Sequence, residues 1–206
     1  MPGMRSLPLP AVLQTLNRLD TKYAALAAIG VTTGCRISEI LSLTRRDLIT
    51  AEGKFKDRIK FVKLKSKSEK PQHRQLIIPE DFQKWVKKHL TEEAKRGYER
   101  PDDYVFRGKM CRHLSRTACY QVFREVLGKG YGTHWMRKTF AQEIYKYLLQ
   151  ETPNDMLRAL DLTRQALGHA RIDTTIKYLG LNYQSIDHAQ SSIFKTERIM
   201  ENAAQK

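Results

Sequence analysis

Between residues 59 and 78 the chain changes its period, and that change constrains the fold more than any other feature. RIKFVKLKS and RQLIIP are short runs, alternating or rich in β-branched residues, held apart by the polar stretch SKSEKPQH. Runs of this kind suit two strands of a β-hairpin with a long, Lys-rich tip. Elsewhere apolar residues recur at helical intervals. Val12, Leu13, Leu16 and Leu19 form one stripe, an Ala-rich helix follows over residues 23–29, and Gly34 closes the block. In RISEILSLTRRDL, Ile37, Ile40, Leu41 and Leu43 keep helical spacing, with Arg36 at the start. Further helices are predicted over residues 82–90, 114–127, 139–149 and 157–167, punctuated by Gly, Pro and Asp. The expected fold is mainly α with a small antiparallel β-sheet (α+β). No internal repeat interrupts it, and residues 185–206 read as a last helix with a polar, frayed end.

With 206 residues and 41% apolar content, the chain suits one compact domain. Its 37 Lys and Arg against 22 Asp and Glu leave a formal charge of +15, a field that attracts polyanions. Nucleic acid is the leading partner class, because phosphates reward basic residues through counterion release. A basic solvated face, or contact with anionic membrane, is the plainer alternative. No apolar run approaches the length of a transmembrane helix, and MPGMRSLPLP lacks the apolar core of a secretory leader. The expected location is cytoplasmic. Three Cys, at 35, 111 and 119, argue for reduced thiols rather than a closed disulfide framework. Cys111, His113 and Cys119 lack a fourth partner at metal-ligand spacing, so no metal and no cofactor is expected.

Four stretches carry chemistry-bearing residues. In GYGTHWMRKTF, Thr133 is an N-cap candidate, which puts His134 and Arg137 three apart in a first helical turn. A helix N-terminus there would add N–H groups and partial positive charge suited to a phosphate. In TTGCRISEI, Arg36 follows a Gly turn and Glu39 stands one turn later, able to hold the guanidinium in place. The hairpin brings Lys63, Lys65, Lys67 and Lys70 near its tip, any one of which could protonate a leaving oxygen. In GHARIDTTIKYLG, Gly168 suits a helix end and Asp173 an N-cap. On one unbroken helix, His169 and Tyr178 would face opposite ways; a break between them lets them converge. Taken singly, each stretch is also explained by surface ion pairs, solvated lysines or a packed Tyr ring.

Read in order, GCRISEI, the Lys-rich hairpin, HWMR and LGHARIDTTIKY resemble the tyrosine recombinase (phage integrase) family, over residues 10–185. The joint order is far more specific than any one piece. The resemblance implies a tyrosine recombinase catalytic-domain fold filling residues 1–206 as a single domain, with a core over about 10–185 and a helical tail, 186–206, that packs on a neighbouring subunit or closes its own core. It implies that Arg36, Arg137, His134 and His169 cradle the scissile phosphate, that Tyr178 is the nucleophile, and that Glu39 supports the site. Lys65 would protonate the leaving 5′-oxygen, with Lys67 its competitor. It further implies a 3′-phosphotyrosyl intermediate formed without metal or ATP, and strand exchange through a Holliday junction. The partner would be double-stranded DNA bearing a recombination site, bound by a homotetramer that is monomeric when free. Larger members carry an N-terminal DNA-clamping domain, whereas here almost nothing precedes the catalytic helices, as expected of a naturally short member, such as the fimbrial invertases, or of a fragment. A type IB topoisomerase and a noncatalytic DNA-binding remnant are the rival readings. Arg36→Ala and Arg137→Ala are expected to leave folding largely intact while abolishing cleavage.

Overall fold

The computed structural model describes residues 5–62, 73–108, 110, 112–153 and 155–181. The chain divides into two compact units, residues 1–143 and 144–206, the division falling inside one helix.

The first unit holds α1 (Leu9–Arg18), α2 (Thr21–Thr33), α3 (Ile37–Leu41), α4 (Arg45–Leu48), β1 (Ile59–Val62), β2 (His73–Leu76), α5 (Glu80–Lys95), α6 (Arg116–Leu127) and the start of α7 (Trp135–Glu151). Helix α2 is apolar around its whole circumference and so must be surrounded. Ala24, Leu26, Ile29 and their neighbours are buried, with α1, α3 and α5 packed against it. The strands pair antiparallel, Ile59 opposite Leu76 and Phe61 opposite Arg74. Alternation turns Ile59 and Phe61 inward, where α3 and α4 pack on β1. Phe123 of α6 joins the core edge-on to Trp135, with ring centroids 5.8 Å apart. The mainly helical fold with one small sheet agrees with the sequence expectation.

Three local expectations change. RISEILSLTRRDL, read as one helix, is two short ones, because the backbone between them is taken by residues 101–105. Val105 N–H donates to the Leu43 carbonyl and Arg45 N–H to the Asp103 carbonyl, both at 2.9 Å. Thr44 restarts the helix, its N–H donating to Asp47 Oδ2 at 2.7 Å. Helix α5 outruns its apolar stripe at both ends, with Glu80 and Asp81 in its first turn and Lys95 in its last, charges that favour those ends. Helix α7 begins at Trp135, four residues before the apolar pattern suggested.

The second unit holds α8 (Met156–Leu167) and α9 (Ile172–Leu179), which pack on each other. Asp155 caps α8 by accepting from Arg158 N–H at 2.9 Å. Among the described residues, no helix is long and apolar enough to cross a membrane.

Candidate active site

Arg36 stands at the turn from α2 into α3, an N-cap position with extended backbone. Glu39, one turn on, accepts from the Arg36 N–H through Oε2 at 2.7 Å and from its guanidinium through Oε1 at 3.3 Å. One buried carboxylate thus fixes both the start of α3 and the direction of the arginine. Glu39 is 3% exposed at its side chain, whereas that of Arg36 is 37% exposed, so the fork is anchored at one edge and open at another. An arginine held this way has lost much of the freedom a phosphate would otherwise have to freeze out.

Arg137 lies on the first turn of α7, is 3% exposed, and donates through Nη1 to the Gly34 carbonyl. Gly34 ends α2 in the left-handed conformation, φ 61°, which aims that carbonyl. A Cβ built on Gly34 would overlap the Phe140 ring, so backbone and ring are in close contact. One glycine therefore terminates α2, seats Phe140 and orients Arg137, two residues from Arg36. Gly34→Ala is expected to lower unfolding stability by about 2–5 kcal/mol, combining left-handed strain with overpacking. Urea unfolding reads this directly; a loss below about 1 kcal/mol would show that neither constraint is needed there.

His134 occupies the cap position of α7, its carbonyl accepting from Lys138 N–H at 3.0 Å. Thr133, the cap expected from sequence, lies one residue further out. The imidazole is held below its ordinary pKa, first by loss of water around it and then by the positive charges of Arg137, Arg36 and Arg116. At neutral pH it is an uncharged ring able to donate one hydrogen bond. Since the unfolded chain binds the proton more tightly, His134 adds stability that is fully present above the ordinary value near 6.5 and is lost as pH falls through the folded pKa. An NMR titration of the free protein is expected to show a His134 midpoint below about 6.5, moving upward when a DNA duplex supplies a phosphodiester anion. A free-protein midpoint at or above that value would contradict the cationic cluster.

In the second unit, Gly168 closes α8 at φ 64°. His169 N–H donates to the Arg164 carbonyl at 3.0 Å and Gly168 N–H to the Gln165 carbonyl at 2.9 Å, the paired bonds of a Schellman motif. The Arg164 guanidinium, held by Asp161 at 2.6 Å, donates back to the His169 carbonyl at 3.1 Å. The buried His169 ring meets the Thr175 hydroxyl through Nδ1 at 3.0 Å. Where that hydroxyl donates, Nδ1 accepts and a ring proton sits on Nε2. Helix α9 starts at Ile172 with Arg171 as its cap, and Asp173, expected there, sits in the first turn and accepts from Arg171 at 2.8 Å. The break does what the sequence required: the His169 and Tyr178 rings meet edge-on, centroids 5.6 Å apart.

A guanidinium pair beside a neutral imidazole in one unit and a His–Tyr pair in the other follow the order of the sequence motifs. Residues 4–185 match the phage integrase family. The chain belongs to that family. No curated protein sequence matches it. Among solved structures it is similar to a XerH site-specific recombinase bound to palindromic difH substrate, at 22% identity and TM-score 0.62, covering 91% of this chain and 53% of that one. It is also similar to XerA recombinase, at 20% identity and TM-score 0.63, covering 95% and 67%. The Tn1549 transposon integrase in complex with circular intermediate DNA gives 16% identity and TM-score 0.61, covering 95% and 66%. The chain thus spans about half to two thirds of the length of these structures, and its fold is theirs.

For this phage-integrase-family chain, the sequence-derived site divides between the units: Arg36, Glu39, His134 and Arg137 in the first, His169 and Tyr178 in the second. Lys65 and Lys67 lie outside the described residues. Sequence reasoning missed Gly34 as the acceptor for Arg137, Thr175 as the partner of His169, and Arg116 as a third cation acting on His134. The signal for Arg116 is a cation directly after the Ser115 cap of α6, where the helix dipole favours an anion instead. Among the described residues, no three His, Cys, Asp or Glu gather as metal ligands. Cys111 lies outside them, while burial pushes the Cys119 thiol up to about 12 and keeps it protonated.

Proposed function

We propose that the chain is a tyrosine-type site-specific recombinase that cuts and rejoins strands of double-stranded DNA. The observation that carries this reading is the fixed pair of guanidiniums: Arg137 locked on the Gly34 carbonyl and Arg36 locked on Glu39, with His134 in their field. Donors whose directions are set before substrate arrives stabilise developing charge without reorganising, and phosphoryl transfer depends on that stabilisation more than on any covalent help from the protein.

In this reading the two arginines and His134 hold the non-bridging oxygens of one phosphodiester, and His169 donates from Nε2 to the same group. The Tyr178 hydroxyl oxygen forms a bond to phosphorus as the bond to the 5′-oxygen breaks. The phenolic proton passes to water, the 5′-oxygen gains one from Lys65 or Lys67, and the 3′ end is left as a phosphotyrosine. Attack by the 5′-hydroxyl of a second duplex reverses the step and exchanges the strand. Two rounds pass through a Holliday junction within a homotetramer formed on DNA from chains that are monomeric when free. Residues 1–206 act as one catalytic domain, in the cytoplasm.

A nicked suicide duplex tests this, because loss of the short 5′ fragment prevents rejoining. The expected result is an SDS-resistant protein–DNA adduct whose peptide maps to Tyr178. Binding without any adduct would favour a noncatalytic module. Efficient relaxation of a supercoiled plasmid lacking a recombination site would favour topoisomerase-like strand swivelling.

A further inference from the structure

Threonine hydroxyls inside helices commonly turn back onto the backbone of their own helix. Thr15, Thr33, Thr91 and Thr163 do so, each donating to the carbonyl four residues earlier at 2.6–2.9 Å. Thr175 of α9 departs from that pattern. It is 0% exposed, and among the described residues its hydroxyl meets Nδ1 of His169, 3.0 Å away, rather than the Arg171 carbonyl. A buried hydroxyl carries one proton, and burying that proton without an acceptor forfeits the bond it made with water. If Nδ1 of the neutral ring held the proton, the hydroxyl could only accept from it, and the hydroxyl's own proton would have no acceptor. The satisfied arrangement has Thr175 donating and Nδ1 accepting.

We propose that Thr175 is a positioning residue: by donating to Nδ1 it holds the His169 proton on Nε2 and ties that tautomer to the seating of the helix that carries Tyr178. This rests on the recombinase reading, in which Nε2 donates to the scissile phosphate. The main chain of His169 is already fixed at both ends, its N–H on the Arg164 carbonyl at 3.0 Å and its carbonyl on the Arg164 guanidinium at 3.1 Å. What those bonds leave open is the rotation of the ring, including the flip that exchanges its two nitrogens. Thr175 closes that freedom. It stands three residues before Tyr178, so the two are neighbours along one side of α9. A displacement of α9 from the turn would take away the donor at Nδ1 and release the ring. The phosphate donor and the nucleophile are therefore made ready by the same docking of one short helix.

Two measurements test this, on wild type, Thr175→Val and Thr175→Ser. Long-range proton–nitrogen NMR correlation at mildly alkaline pH, where imidazoles are neutral, reports which His169 nitrogen carries the proton. Wild type and Thr175→Ser should show it on Nε2, and Thr175→Val, which keeps the shape and removes the hydroxyl, should show a mixture. Adduct formation on the nicked suicide duplex at saturating DNA should slow about 10-fold or more in Thr175→Val, short of the roughly 10²–10³-fold of losing a donor outright. Thr175→Ser should recover most of that loss, and duplex affinity should hold in both variants because Thr175 acts through His169. Matching thermal midpoints confirm folding. A wild-type proton on Nδ1, a full-rate adduct from folded Thr175→Val, or a folded Thr175→Ser no faster than the Val variant overturns the proposal and leaves the recombinase reading standing. If Thr175→Val does not fold, the wild-type tautomer and the Ser variant decide by the same outcomes. Absence of any adduct from wild type overturns the recombinase reading and, with it, the positioning role.

Discussion

Tyr178→Phe is expected to abolish the covalent adduct while the protein stays folded. The substitution removes one oxygen and keeps the ring that meets His169 edge-on at 5.6 Å, so the packing of α9 against the turn that precedes it survives. The phenolic oxygen is the group that would bond to phosphorus, and a Phe ring offers nothing in its place. Loss of a nucleophile from a covalent mechanism costs on the order of 10⁴-fold or more in rate. Adduct yield on the suicide duplex and the urea midpoint, measured on the same preparation, separate the two effects. A Phe variant that still forms the adduct would remove Tyr178 from the reaction. One that unfolds would show that the hydroxyl serves the fold.

Arg137→Ala is expected to fail twice, in chemistry and in stability, where Arg36→Ala fails once. Arg137 is buried and donates to the Gly34 carbonyl, so truncation strands a buried acceptor and costs about 1–3 kcal/mol. Arg36 reaches the surface, its guanidinium contact with Glu39 is long at 3.3 Å, and its N–H bond to that carboxylate persists in the Ala variant, so its loss should cost less stability than that of Arg137. The sequence grouped the two as phosphate ligands whose loss leaves folding largely intact; the structure buries Arg137 and leaves Arg36 partly exposed. Either variant loses a preorganised donor, worth about 10²–10³-fold in rate. Arg137→Lys is not a conservative rescue, because a single ammonium cannot serve the carbonyl and a phosphate as a planar fork can. Equal stability of the two Ala variants, in urea unfolding, would contradict this division.

Periodicity made the helices legible, and one run of alternating residues made the hairpin legible, because both patterns record which side of an element meets the core. The α3–α4 interruption was hidden, since the groups that break that helix arrive from residues 101–105 and leave no mark on RISEILSLTRRDL itself. Cap positions were shifted by one residue at His134 and by two at Arg171. Gly34 was recognised as a stop, but the fate of its carbonyl was not.

The sequence by itself determined which residues could do chemistry: Arg36, His134, Arg137, His169 and Tyr178 stand in the order of the motifs that resemble the family. It also determined the break at Gly168, because glycine takes the left-handed turn without the penalty a Cβ brings. Only the tertiary structure decided how those groups are held. Arg137 meets Gly34 across 103 residues of chain, and His134 feels Arg36 from the cap of α3 and Arg116 from the start of α6. Charge and hydrogen bonding act through space, whereas a pattern along the chain reports only what lies within a few turns.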